Sequence, residues 1–237
     1  MNCLALMLAS VFFAPAAAAE GEDADVEAVS YLMGGASLFD LEDINDAIEP
    51  LGLPDVGDWA GTFGAGGDLW LKRLLLGHQL TVGIMAAQTS DNVEVRFGTA
   101  YWMAHTGINV LPRSMESLKL FPQIGIGVGL MGLKINANEF DFDQITAVGS
   151  QPDPLWQVHF LMEFGGGFDY TFSLPKLPVG IVLGTRVGYL LQIPDSDAWI
   201  RNGVEFDNGP EQRLTSLYIQ GIIGVKRTVK WCKAKCR

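Results

Sequence analysis

Three histidines, His78, His105 and His159, and two late cysteines, Cys232 and Cys236, are the residues whose types could carry chemistry beyond simple charge. Nucleophilic catalysis needs a hydroxyl or thiol held beside a base. No histidine falls in an H-x-S spacing and no G-x-S-x-G occurs, so no catalytic residue is assigned. Gly64-Ala65-Gly66-Gly67 and Gly165-Gly166-Gly167 do not open helices and therefore do not read as phosphate-binding loops. Cys232 and Cys236 are an even pair once Cys3 is removed with a leader, and a small disulfide loop is expected of them in an oxidising compartment. The alternative, a metal site, lacks the two further ligands a tetrahedral centre needs. No metal and no cofactor is expected.

Charge is the remaining source of chemistry. The chain of 237 residues carries 16 basic and 27 acidic side chains, formally −11, which repels phosphate backbones and excludes non-specific nucleic-acid binding. Only 18% of residues are charged, whereas 28 are glycine, a composition that disfavours a helical enzyme. The charged groups that could meet one another are Asp68, Glu94, Arg96, Lys134, His159, Glu163, Asp169 and Arg186, with Gln192 and Gln220. Their meeting depends on what positions them.

The positioning elements are strands. Over 157–172, Val158, Phe160, Met162, Phe164, Gly166, Phe168, Tyr170 and Phe172 share one face, and Gln157, His159, Glu163, Asp169 and Thr171 the other. The same period-two alternation runs through 179–193 and 217–231, and more weakly through 28–39, 60–71, 78–88, 93–109 and 118–136. In the last of these the apolar phase slips between Leu130 and Met131, the mark of a bulge or a change of environment. Eight strands with an apolar outside and a polar, glycine-rich inside predict an all-β fold, an eight-stranded antiparallel up-and-down barrel closed in a bilayer. The alternative is a secreted soluble barrel with the faces reversed, holding a lipid or other small ligand.

On that barrel the same charged set lines the lumen. Counting across the turns brings Glu94 near Lys134 and Glu163 near Arg186, two salt bridges that would plug the lumen. His159 falls in the upper lumen, close to Glu94 and Tyr218, where a hydrogen-bonding filler is the bland role and a lipid-modifying active site the sharp one.

Connections alternate in length and charge. The long ones, 40–58, 137–155 and 194–215, are acidic; the shorter turns 72–77, 110–117 and 173–178, with the C-terminal tail, carry basic residues. Connection 89–92 breaks the length rule. The acidic rim is the expected place for Ca²⁺, at 138–143 or 195–197, or for a protein partner. Trp59 and Trp156 at one set of strand ends, and Trp70, Phe172 and Trp231 at the other, are expected to form interfacial girdles. In the first long loop, Leu41, Ile44, Ala47 and Ile48 before Pro50 predict a short amphipathic helix that caps the barrel mouth, lies at the membrane surface or binds a partner.

At the start, the apolar run Leu4 to Phe13 followed by Ala14-Pro15-Ala16-Ala17-Ala18-Ala19 reads as a signal peptide cleaved near Ala19. The expected organisation is a leader over 1–19, an acidic tail over 20–27, one barrel over 28–231 and a basic tail with two cysteines over 232–237.

Leader, eight amphipathic strands, acidic long loops and short basic turns resemble the small eight-stranded outer-membrane β-barrels, the class of the OmpA transmembrane domain and OmpX. The resemblance rests on architecture and covers 28–231. It implies a Gram-negative outer-membrane location, lipid as the surrounding partner, and a structural or surface-interaction role. The class commonly ends on an aromatic residue, whereas here six residues follow Trp231.

Overall fold

A computed structural model describes residues 25–90, 93–112, 114–137, 154–174, 179–193, 199–201, 204–206 and 213–230. The expected leader, the 138–143 and 195–197 acidic segments, Trp231 and the cysteine pair lie outside the described residues.

Eight long strands dominate: β1 (Asp25–Phe39), β2 (Trp59–Leu71), β3 (Leu74–Met85), β4 (Val93–Ile108), β5 (Leu118–Ala137), β6 (Leu155–Ser173), β7 (Val179–Gln192) and β8 (Ser216–Lys230). Each pairs antiparallel with the next. β1 also pairs with β8 along its whole length, Asp25 opposite Lys230 and Phe39 opposite Ser216, so the sheet closes and no barrel strand is an edge. The strands run from 12 to 20 residues, beyond the roughly 9 to 11 that cross a bilayer at a tilt.

Strand ends differ from the sequence reading in one instructive place. β3 begins at Leu74, not near His78, because Leu74 to Gly77 pair with Leu71 to Asp68 around the two-residue turn Lys72-Arg73. The run Leu74-Leu75-Leu76 hides its alternation, since both faces there are leucine. Lys72 takes a left-handed φ of 59°, the conformation such tight hairpins demand. This end of the barrel, which also holds the start of β1 and the end of β8, is the turn end. The opposite end is the loop end. There the connection between β3 and β4 is a small hairpin extension, Gln88–Ser90 paired with the start of β4, and the strands Trp199–Arg201 and Val204–Phe206 form a second ribbon resting on β6.

Alternation assigns the faces. Outward stand large apolar residues such as Leu32, Phe63, Ile84, Trp102, Ile126, Phe160 and Ile223, all substantially exposed. Inward stand Asp68, Gln79, His105, Gln123, His159, Glu163, Asp169, Arg186 and Gln220, all buried. This is a soluble protein's partition turned inside out, although β1 breaks it: Val29, Tyr31 and Met33 point inward and join Trp70, Leu75, Phe121, Val182 and Ile222 in an apolar cluster inside the barrel.

At the loop end the interior becomes apolar, and on β4 and β5 the partition reverses, although Trp59, Trp156 and Leu217 remain exposed on the outer wall of the other strands. Helix α1 (Glu42–Ile48) is followed by a turn of 3-10 helix over Glu49–Leu51, with Pro50 near its start and Gly52 capping it at φ 69°. Leu41, Ile44 and Ile48 point down, whereas Ala47 is exposed. They pack on Phe39, Val56, Val95, Phe97, Met131, Leu133, Trp199 and Leu214 to form an apolar cap inside the barrel mouth. The loop is pinned by Asn45, whose Nδ2 donates to the Val56 carbonyl at 3.2 Å while the Val56 N–H donates to its Oδ1 at 2.8 Å. The Phe39 N–H donates to the Asp58 carbonyl at 2.8 Å, tying the end of β1 to the far end of the loop.

The phase slip at Leu130–Met131 is thereby explained. β5 pairs without a break with both neighbours through this point. Met131 and Leu133 turn inward because the interior has become apolar, so the slip is a change of environment.

Candidate functional site

Beneath the cap lies a buried network of charge. β2 supplies Asp68, β4 His105, β6 Asp169 and β7 Arg186, and inward parity at four positions around the wall brings them together. The Arg186 guanidinium grips Asp169 as a fork, Nη1 to Oδ1 at 2.5 Å and Nη2 to Oδ2 at 3.1 Å, and Nη2 also reaches Asp68 Oδ2 at 3.2 Å. Such two-pronged pairs fix geometry as well as charge. Asp68 Oδ1 lies 3.0 Å from His105 Nε2 and accepts a long hydrogen bond from the Tyr31 hydroxyl at 3.4 Å. Arg186 is fully buried, with 0% of its surface exposed.

Glycine makes the room. A Cβ at Gly77 would collide with Asp68 Oδ1 and His105 Nε2, and one at Gly184 with Asp169 Oδ1. The tightest part of the lumen is thus filled by a small number of long polar side chains set against bare backbone.

Aromatic rings extend the network toward the turn end. Arg186 lies 4.7 Å from the Phe121 ring centre, Phe121 meets Trp70 edge-on at 5.0 Å, and Lys119 stands 4.1 Å from the Trp70 ring centre. The column reads cation, ring, ring, cation, each cation on a π face. Above it, Glu163 accepts hydrogen bonds from Gln123 Nε2 at 3.0 Å and from the Tyr218 hydroxyl. Near the cap, Gln192 Oε1 accepts the Leu214 N–H at 2.7 Å.

The placement of the sequence-derived candidates is therefore mixed. Asp169 and Arg186 meet directly. Glu163 does not meet Arg186: it stands opposite Leu190, four residues further along β7, because the register is offset from the one counted across the turn. Glu94 and Arg96 do not face the lumen. They bond to each other at 2.9 Å on the even-numbered face of β4, with the Arg96 side chain 60% exposed. Lys134 is opposite Arg96 and shares that face. The reason is the reversal at the loop end, where Val95, Phe97 and Leu133 point inward and the polar residues between them point out.

His159 is buried with no hydrogen-bond partner for either ring nitrogen among the described residues. It stands opposite Gly129, not beside Glu94. Of the expected girdle, Trp59, Trp156 and Phe172 are exposed on the outer wall, with Trp156 covering the bare Gly132. Trp70 is not part of it: it points into the lumen. Its parity with Asp68 gives this away, but a strand as glycine-rich as β2 offers little apolar contrast between its faces.

Tyr31 escaped the sequence reading, and His105 was named among the histidines without being placed in the lumen. The signal for both was available, since His105 shares parity with Tyr101 and Met103, and Tyr31 with Val29 and Met33. Asp68 and His105 form an acid–base pair, but the only hydroxyl in hydrogen-bond contact with them among the described residues is that of Tyr31, and the set is sealed by the wall. The arrangement holds charge and fills volume.

No protein-family model matches the chain, and no curated protein matches it. Among solved structures it is similar to Ail, the attachment invasion locus protein of Yersinia pestis, at 9% identity and a TM-score of 0.43, covering 88% of this chain and 100% of that one. It is similar to Neisserial surface protein A at 11% identity and a TM-score of 0.41, covering 89% and 100%. A major outer membrane protein from Thermus thermophilus aligns at 11% identity and a TM-score of 0.43, over 84% of this chain and 99% of that one.

Proposed function

We propose that the chain is an integral outer-membrane β-barrel of a Gram-negative envelope, with a plugged lumen and a structural or surface-interaction role at its loop end. The observation that carries this reading is the inverted partition along the middle of the strands. A closed sheet whose outer wall exposes Phe160, Ile126 and Leu32 while Arg186, Asp68 and Glu163 are buried is stable where hydrocarbon surrounds it.

The plug reading rests on two fillings in series. The forked Arg186 network occupies the middle of the lumen, and the α1 cap occupies the loop end. Both must move before ions can pass.

The interaction reading rests on the surface beside the first long loop. Asp40, Glu42, Asp46 and Asp58, together with Leu38, Tyr189 and Leu217 of the outer wall, line an open cavity of about 540 Å³ at the loop end. Among the described residues no group of three or more His, Cys, Asp or Glu side chains is placed to hold a metal ion. A basic protein surface, which needs only a diffuse acidic field, suits this cavity better than Ca²⁺ does.

Membrane fractionation followed by electrophoresis with and without boiling tests location and fold together. A heat-shifted band in the outer-membrane fraction is expected; an unshifted soluble band overturns the reading. Planar-bilayer recording tests the plug, for which silence is expected and steady open channels are the contrary result.

A further inference from the structure

The turn end holds a second cavity, of about 580 Å³, that neither the plug nor the cap uses. Its lining brings together Lys72, Arg73, Lys119 and Lys226, against the two carboxylates Glu27 and Glu116. The cations outnumber the acids two to one in a concave space whose floor is protein, and such a cleft concentrates positive potential.

The acids do not cancel the cations. Glu27 is shared, accepting from Lys119 and, at 3.1 Å, from Lys226, so one negative charge serves two positive ones. Arg73 spends its guanidinium on the carbonyl oxygens of Asn109, Val110 and Leu111, at 3.1, 3.4 and 2.8 Å, which hold it rigid but carry no net charge. No carboxylate among the described residues bonds it. Lys119 is built in rather than dangling: only 8% of its surface is exposed, and the Trp70 ring lies beneath it. A buried, oriented ammonium at the floor, with a fixed guanidinium and a lysine at the rim, is the donor arrangement that holds a compact multivalent oxyanion.

We propose that this cavity binds a phosphate group, either of a free phosphate or of a lipid headgroup. Lys119 and Lys226 meet the anion at the floor, and Lys72 and the fixed Arg73 flank it at the rim, on the β2–β3 turn. A monovalent carboxylate would leave part of the positive charge unmet, whereas a phosphate brings more than one negative charge and several acceptor oxygens.

The test uses the full-length mature protein in uncharged dodecyl maltoside micelles, titrated in one arm with inorganic phosphate by calorimetry. A second arm doses the micelles with phosphatidylglycerol, against phosphatidylcholine as control, and reads bound lipid by native mass spectrometry. Lys72→Asn keeps the left-handed turn, because asparagine tolerates that φ. Lys226→Gln removes a floor cation, and Arg227→Gln removes an exposed charge on β8 that does not line the cavity. Saturable binding is expected, weakened about tenfold by Lys72→Asn and by Lys226→Gln, the scale of one charged hydrogen bond, and unchanged by Arg227→Gln. Saturation with inorganic phosphate assigns a free ligand; saturation with phosphatidylglycerol alone assigns the headgroup. No saturation in either arm, or equal weakening by Arg227→Gln, overturns the proposal. The heat shift on gels verifies that each variant is folded, and Lys72→Asn, which alters only an exposed turn, carries the test if Lys226→Gln does not fold.

Discussion

The two halves of the barrel interior solve the same problem, filling a narrow tube, with opposite chemistry. In the middle and toward the turn end the filling mixes the charged set Arg186, Asp68, Asp169, His105 and Glu163 with apolar side chains such as Met33, Trp70, Phe121 and Ile222, and the outer wall is apolar. At the loop end the filling is Ile44, Phe97, Met131, Leu133 and Trp199, and the outer wall carries Glu94 and Arg96 on β4 beside the exposed Trp59, Trp156 and Leu217 of other strands. One set of strands passes through both regimes without a break in pairing. The lesson is that strand parity is fixed by geometry whereas its meaning is fixed by the surrounding solvent. Inward charge is accommodated where the outer wall is apolar, whereas at the loop end the interior is mainly apolar.

The sharpest way to break the comparison is to unpair the charged half. Arg186→Met leaves Asp68 and Asp169 buried without their counter-ion and should cost about 3–5 kcal/mol, as removal of one partner from a buried pair does. A lowered denaturant midpoint in micelles would register it, and adding Asp68→Asn and Asp169→Asn should recover part of the loss. The apolar half should answer differently. Ile44→Ala removes a fully buried side chain from the cap at a cost of roughly 2–4 kcal/mol. Its effect is expected to be local, read as faster proteolysis of the 40–58 loop while the heat shift persists.

The outer wall distinguishes the regimes at lower amplitude. Phe160→Lys, at a residue 64% exposed to the surroundings, should cost about 2–3 kcal/mol if lipid lies against it, and almost nothing if water does. Equilibrium unfolding into vesicles would measure it. Gly77→Ala should cost roughly 1–3 kcal/mol by forcing Asp68 and His105 apart. Arg96→Ala marks the small end of the series. Its pair with Glu94 sits in water, and a shift within about 0.5 kcal/mol is expected of a surface ion pair. A loss as large as that of Arg186→Met would refute the proposed reversal of faces.

The same reversal sets what could be read from sequence. Phe160, Phe164 and Phe168 against His159, Glu163 and Asp169 announced a strand, its parity and a polar interior, because along the middle of β6 contrast between faces is large. Glu94, Arg96 and Lys134 were assigned to the lumen by carrying that rule to the loop ends of β4 and β5, where it inverts. Only the slip at Leu130–Met131 marked the boundary. Trp70 and His105 were legible by parity but masked by neighbours of weak contrast: glycines in β2, alanines in β4. The network itself was not legible. A forked pair between β6 and β7 that also takes in β2 depends on register around a closed ring, and a miscount of four residues reassigned Arg186's partner.

The seam between β1 and β8 also has a kinetic meaning. Asp25 faces Lys230, so this ladder joins residues separated by nearly the whole described chain and is expected to form last. The entropy of bringing such distant ends together grows only as about (3/2)RT ln n, but it must be met before the seam returns any hydrogen bonds. Insertion should therefore be slow and all-or-none at this joint. Glu27, on β1, holding Lys226 on β8 and Lys119 on β5, is placed to act as the latch that keeps the finished ring from reopening.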